Sequence, residues 1–207
     1  MKFASLAPQE TITKTVAALQ NNGMTVTIVG SAHEAKEAVL ALIPSGSEVM
    51  TMTSISLDDA GISEAINGKE SNYVSAKNKL WSLNRETQGK EMQQLGATSD
   101  WAIGSVHAIT EQGEVIVTSN TGSQLPAYAY GSAHVVWVVG TQKIVKDIAE
   151  GMQRITEYIV PKESVRAREA YGLPADFQTN PSKTLIINRE ITPGRVHIIL
   201  VNESLGF

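Results

Sequence analysis

Apolar residues recur along this chain in two rhythms. From Pro8 to Asn22 they fall three or four positions apart, at Ile12, Val16 and Leu19, which predicts a helix that Gly23 stops. Met24 to Val29 then alternates as a strand does. Ser31-Ala32-His33-Glu34 has the spacing of a capping box and opens a helix carrying Ala35, Ala38, Val39 and Leu42. Pro44 and Gly46 break it before a short apolar strand, Val49 to Thr53, and Ser54-Ile55-Ser56 leads into a helix through Ala60 and Ile66. Val74 to Gly96 is polar, with a helical second half whose uneven apolar face takes Leu80, Leu83, Thr87, Met92 and Leu95. Arg85 and Lys79 read there as solvated face residues.

The stretch from Trp101 to Lys143 has a different texture. Ala102 to Thr110 is apolar apart from Ser105 and His107, and Val115-Ile116-Val117 follows a Gln112-Gly113 turn, so the two runs read as a hairpin. With Gln112-Gly113 as the central pair, Glu111 opposes Glu114 and His107 falls opposite Thr118. His134 to Val139 is a continuous apolar run, as in a strand buried on both faces. Beyond it, Ile144, Ile148, Met152, Ile155 and Ile159 predict an amphipathic helix that Pro161 ends or kinks. A second helix, Glu163 to Tyr171, stops at Gly172. Two strands, Thr184 to Asn188 and Arg195 to Val201, close the pattern across Pro193-Gly194, and the apolar end of Asn202 to Phe207 points to a docked tail.

Strands alternating with helices predict an α/β fold: a central, largely parallel sheet with flanking helices and a β-hairpin. Val26–Val29, Val49–Thr53, Val115–Val117 and Val135–Val139 are expected among its buried strands. No repeat or low-complexity linker interrupts the 207 residues, so one domain, 1–207, is expected. The net charge of -4, with 18% charged residues and no Lys/Arg cluster, argues against a nucleic-acid surface. There is no cysteine, hence no disulfide, thiolate nucleophile or cysteine-held iron–sulfur cluster. A redox role would need an organic cofactor, a non-cysteine metal site or a partner protein; which cofactor, if any, the residues do not name. The first ten residues lack the apolar core of a signal peptide and no apolar run spans a bilayer, so a soluble cytoplasmic protein without membrane insertion is expected.

Candidate chemistry sits where strands end. Thr118-Ser119-Asn120-Thr121-Gly122-Ser123-Gln124 follows one strand, and small hydroxyl residues around a glycine suit a backbone nest for phosphate or carboxylate. The same string also suits an ordinary tight turn with a hydroxyl cap. Gly140-Thr141-Gln142-Lys143 follows a second strand and adds a cation; Thr53 and Ser54 follow a third. Parallel strands put their carboxyl ends on one edge, so Thr53, Ser54, Thr121, Gly122, Ser123, Gln124, Thr141, Gln142 and Lys143 are expected to converge on one cleft that binds a small anion. His107 is the best acid–base candidate, against a competing role as a packing residue. His33, His134 and His197 read as structural. No pair of histidines has metal-ligand spacing, so no metal site is assigned.

GSVHAITEQGEVIVTSNTGSQLPAYAYG, VVWVVGTQKIV and TLIINREITPGRVHIILVNESLGF together resemble the LUD-domain family, lactate utilization protein C and its relatives; TMTSISLDDAGI at Thr51 to Ile62 is similar to that family's hydroxyl-rich loop. The resemblance runs from about residue 8 to the end. It implies a fold like that of ribose-5-phosphate isomerases, glucosamine-6-phosphate deaminases and CoA transferases, and a place in lactate utilization. Thr121-Gly122-Ser123 also resembles the phosphate loop of those isomerases. Larger members carry cysteine motifs that this chain lacks, so the resemblance puts any electron transfer in iron–sulfur partner subunits. CoA transferases use a glutamate nucleophile, for which Glu111, Glu114 and Glu203 are the acids at hand; the first two flank a turn, where exposure is the plain reading. Two functions stay open: an enzyme or enzyme subunit, alone or as a homo-oligomer, acting on a small anionic metabolite, or a non-catalytic assembly partner of an iron–sulfur lactate-oxidising complex.

Overall fold

The computed structural model describes residues 2–207. In chain order the elements are α1 (Gln9–Asn21), β1 (Thr25–Val29), α2 (Ala32–Leu42), β2 (Glu48–Thr51), α3 (Ile55–Asp59), α4 (Ile62–Asn67), β3 (Val74–Ser75), α5 (Ala76–Ser82), α6 (Gly89–Thr98), β4 (Trp101–Gly104), β5 (Ala108–Thr110), β6 (Val115–Ser119), β7 (His134–Gly140), β8 (Ile144–Val145), α7 (Ile148–Arg154), α8 (Val160–Tyr171), β9 (Lys183–Ile187) and β10 (Val196–Val201).

Two sheets result. Six strands, ordered β1-β10-β7-β4-β2-β3, pair in parallel throughout. Four more, ordered β8-β5-β6-β9, form a smaller mixed sheet in which β5 and β8 are parallel and the other pairs antiparallel. The fold is thus α/β with a central parallel sheet and flanking helices. β7 shows why it holds: alternate side chains point to opposite faces of a strand. Val135, Trp137 and Val139 enter one core with α1 and with Ile109, Val115 and Val117 of the smaller sheet. Val136 and Val138 enter the other, against α2, α3 and α4. The first core contains residues of both sheets and joins them. The far face of the smaller sheet packs Ala108, Ile116 and Val145 on Ile155 and Ile159. Each fully buried aliphatic of β7 contributes roughly 1.5–3 kcal/mol.

Several expectations need correction. Val115–Val117 belongs to the smaller sheet, not the central one, because the apolar run from Ala102 to Thr110 is two strands in two sheets. Val26–Val29 is an edge strand, and Ile28 is half exposed on it. The hairpin turn holds three residues, Glu111-Gln112-Gly113: Ala108 pairs with Ile116, and the Thr110 N–H donates to Glu114 O. The register is therefore one residue from that expected, and the positive φ of Gly113 (82°) is what allows the longer turn. The first half of the 74–96 segment is also helical, since Ser75 caps α5 by accepting from the Asn78 N–H. Ile144 begins a strand and not a helix. The helix carrying Ile148 runs on through a π-helical stretch, Ile155–Ile159, into α8, and Pro161 stands in the first turn of α8, where a missing N–H is tolerated. The tail docks as expected: Leu205 is buried, and the Gly206 N–H donates to Asp59 Oδ2 (2.8 Å).

Candidate functional site

The chain crosses between the sheets twice at neighbouring points. β4 hands over to β5 through Ser105-Val106-His107, and β7 hands over to β8 through a 3₁₀ turn, Thr141–Lys143. Because β4 pairs with β7 and β5 with β8, all in parallel, the two crossings lie side by side. That places Ser105, His107 and Lys143 at the seam, over the carboxyl ends of β4 and β7.

Lys143 is buried, and its Nζ donates to Ser56 Oγ (2.9 Å) and Ser105 Oγ (3.1 Å). Ser56, in α3, in turn donates to Leu205 O of the tail (3.2 Å). Arg154 reaches the seam from below. Gly151, one turn earlier, lets α7 approach closely: a Cβ there would stand 2.4 Å from Ile116 Cδ1. The Arg154 side chain is 0% exposed; Nη1 donates to His107 O (2.6 Å) and the guanidinium lies over the Tyr158 ring (5.3 Å to its centroid), while Nε and Nη2 have no hydrogen-bond partner. Neither Lys143 nor Arg154 takes part in an ion pair among the described residues. Burial, then Arg154, pushes the Lys143 amine down to about 7, against an opposing pull from Asp59. Burial likewise lowers Arg154 to about 10. Two buried cations without a carboxylate are costly, several kcal/mol per ion even after relaxation.

His107 is half-buried beside them. Burial, Lys143 and Arg154 together push its imidazole down to about 3. Its Nδ1 accepts the Thr118 N–H (3.1 Å), so the neutral ring carries its proton on Nε2 and presents that nitrogen as a donor. The contact with Thr118 forms despite the shifted hairpin register.

The expected site residues make two hydrogen-bonded groups. Thr141, Gln142 and Lys143 lie on one edge with the α3 entrance, where Thr53 is exposed and Ser54 caps the helix with its carbonyl. This group is tied to the tail: Thr141 Oγ1 meets Asn202 Oδ1 (3.5 Å), and Gln142 Nε2 donates to Leu205 O (2.8 Å). Thr121, Gly122, Ser123 and Gln124 form the second group. There the Gly122 N–H donates to Ser119 Oγ (2.8 Å), the Ser123 N–H to Thr121 Oγ1 (3.4 Å), and Lys183 Nζ to Thr121 O (2.6 Å). No hydrogen bond among the described residues joins Thr121, Gly122 or Ser123 to Lys143. The nearest link runs from Gln124 Nε2 to Thr118 O (3.4 Å) and from Thr118 to His107.

The remaining candidates have structural partners. Glu111 pairs with Lys14 (2.7 Å), Glu114 with Thr110, and Glu203 accepts the Ala32 N–H at the start of α2 (2.8 Å). His134 stacks on Trp101 and His197 bonds Thr27, whereas His33 lies exposed near Glu37. Among the described residues no group of acids and histidines is placed to hold a metal ion, and no helix is long and apolar enough to cross a membrane. Two shallow surface hollows, one beside Arg189 to Gly194 and one around Glu64 to Ser71, contain none of Lys143, Arg154 and His107.

Sequence reasoning missed Arg154, Ser56 and Ser105. Arg154 did leave a signal: a cation next to Ile155 on an apolar helical stripe, three residues after a glycine. The LUD domain model matches residues 12–201. A DUF162 family protein from Deinococcus radiodurans superposes with a TM-score of 0.58 over 96% of this chain and 100% of its own, at 15% identity, which speaks for the fold alone. eIF2B beta from Chaetomium thermophilum gives 0.38 over 57% of this chain and 44% of that one, at 12% identity, too low to carry an argument. No curated protein sequence matches the chain significantly.

Proposed function

The chain belongs to the LUD-domain family, and on that footing we propose that it serves lactate utilization by binding a small anionic metabolite at the sheet seam. The observation that carries this reading is the pair of buried cations, Lys143 and Arg154, with no acid partner and two guanidinium nitrogens unpaired. A bound carboxylate or phosphate would take the place of the missing carboxylate, accepting from Arg154 Nε and Nη2 as charge-assisted hydrogen bonds. Ser105 and the Nε2–H of His107 would supply further donors. The tail segment around Leu205 covers the Ser56 side, so entry there requires it to yield.

A purely assembling role for the same domain leaves the unpaired cations without a purpose, since natural cores rarely keep unpaired charge. A thermal-shift screen against lactate, pyruvate, sugar phosphates, nucleotides and CoA esters tests the reading. Stabilisation by one anionic class, lost in Arg154→Met, is the expected result. Equal response of the wild type and Arg154→Met to every compound would refute it.

A further inference from the structure

The hydrogen bonds around Lys143 determine which way a proton can move. Ser56 Oγ gives its proton to Leu205 O, so it meets Lys143 Nζ only as an acceptor. Ser105 Oγ, 3.1 Å from the same nitrogen, donates to no other group among the described residues, and Ser105 keeps part of its surface in solvent. A neutral lysine amine has two N–H bonds and one lone pair. With one N–H directed at Ser56, the lone pair is available to the Ser105 O–H.

We propose that Ser105 is a nucleophile, that Lys143 is its general base, and that the substrate is an ester or thioester carrying a carboxylate or phosphate. This rests on the anion site above, because Arg154 would hold the charged group while the carbonyl carbon faces Ser105. The first step forms the Ser105 Oγ–carbon bond as the serine proton passes to Lys143 Nζ. Collapse then breaks the bond to the alcohol or thiol, which leaves with the proton from Lys143. Water attacks the acyl-serine with Lys143 again as base, releasing the acid and restoring Ser105. The net change is hydrolysis, with no oxidant or reductant.

Near neutrality the amine passes between two forms, the ammonium that helps to hold an anion and the neutral amine that can take a proton. Arg154 from α7 repels a proton on Lys143, Asp59 from α3 attracts one, and His107 between the sheets is uncharged. Ser56 and Ser105 bring only hydroxyls. Burial tips the balance and brings the amine to about 7. Ser56 is a positioning residue, because it fixes the amine and does not face solvent.

The test uses the full chain and a fluorophosphonate, whose phosphorus the serine oxygen attacks with loss of fluoride. Adduct is expected on the peptide containing Ser105, at a rate that rises with pH through about 7 as Lys143 loses its proton. Labelling there should vanish in Ser105→Ala and fall at least about 50-fold in both Lys143→Met and Lys143→Arg, the loss expected when a general base worth about 10²–10⁴-fold is removed. The arginine variant keeps the charge and serves if the methionine variant fails to fold. Inorganic phosphate should protect Ser105 from the probe and should still raise the melting temperature of Ser105→Ala. Absence of adduct at Ser105 in the folded protein, or equal labelling in the Lys143 variants, overturns the proposal. If phosphate stabilises the wild type while Ser105 stays unlabelled, only the nucleophile is wrong; if phosphate has no effect on the wild type, the anion site itself fails.

Discussion

Two polar groups hang from strand ends in this molecule, one at the Thr118–Gln124 loop after β6 and one at the seam around Lys143. In the loop, hydroxyls answer amides: Ser119 serves Gly122, Thr121 serves Ser123, and Lys183 from β9 rests on the Thr121 carbonyl. At the seam, two cations are buried with no acid and with two guanidinium nitrogens unanswered. The loop is rich in residues that suit a binding site, yet its groups build a turn. Buried polar groups in native proteins are nearly always satisfied, so the exceptions point to function more sharply than composition does.

Lys143 separates the two regions by the largest effect. Lys143→Met should remove anion-induced stabilisation altogether and raise the stability of the unliganded protein by about 1–3 kcal/mol, because an unpaired buried cation is costly; chemical denaturation with and without phosphate measures both. Arg154→Met should weaken anion binding about 10- to 150-fold, the equivalent of one hydrogen bond to a charged group, read by titration calorimetry.

Acid–base behaviour sharpens the contrast further. The folded Lys143 amine titrates near 7 and the unfolded one near 10.5, so the unfolded chain binds more protons between those values. Wild-type stability relative to Lys143→Met should therefore fall by up to about 1.4 kcal/mol per unit as pH drops from 10.5 to 7, then level off. His107 acts in the same direction lower down: its depressed pKa makes the fold lose stability as pH falls from 6.5 towards 3, a loss that His107→Gln should reduce. The smallest effects belong to the loop. Gly122 has φ 88° and a Cβ there would meet Lys183 Cδ at 2.7 Å, so Gly122→Ala should cost about 1 kcal/mol of stability and leave anion affinity unchanged.

Much of the fold was legible because it rests on periodicity: of the unbroken run His134 to Val139, all but the exposed His134 does lie buried on both faces inside a parallel sheet. The sheet switch was not legible. Ala102 to Thr110 reads as one apolar run, and only tertiary pairing decides that Gly104 ends one strand and Ala108 begins another. That switch is what brings Ser105 and His107 to Lys143. Thr141, Gln142 and Lys143 were marked by their place after a strand, whereas Arg154 was hidden in an amphipathic helix, where a single cation looks like a solvated neighbour. Its burial depends on the close approach that Gly151 permits, which no local pattern reports.

The proposed anion sits at the seam and not at the loop. Calorimetric titration of inorganic phosphate into Lys143→Met and Ser123→Asp decides between them. A dissociation constant at least about 50-fold higher in Lys143→Met, with Ser123→Asp within about twofold of the wild type, is the predicted result; 50-fold corresponds to a little over 2 kcal/mol, within reach of one lost charge-assisted contact. Weakened binding in Ser123→Asp, where the added carboxylate would repel a phosphate held by the loop, alongside unchanged binding in Lys143→Met, would contradict it.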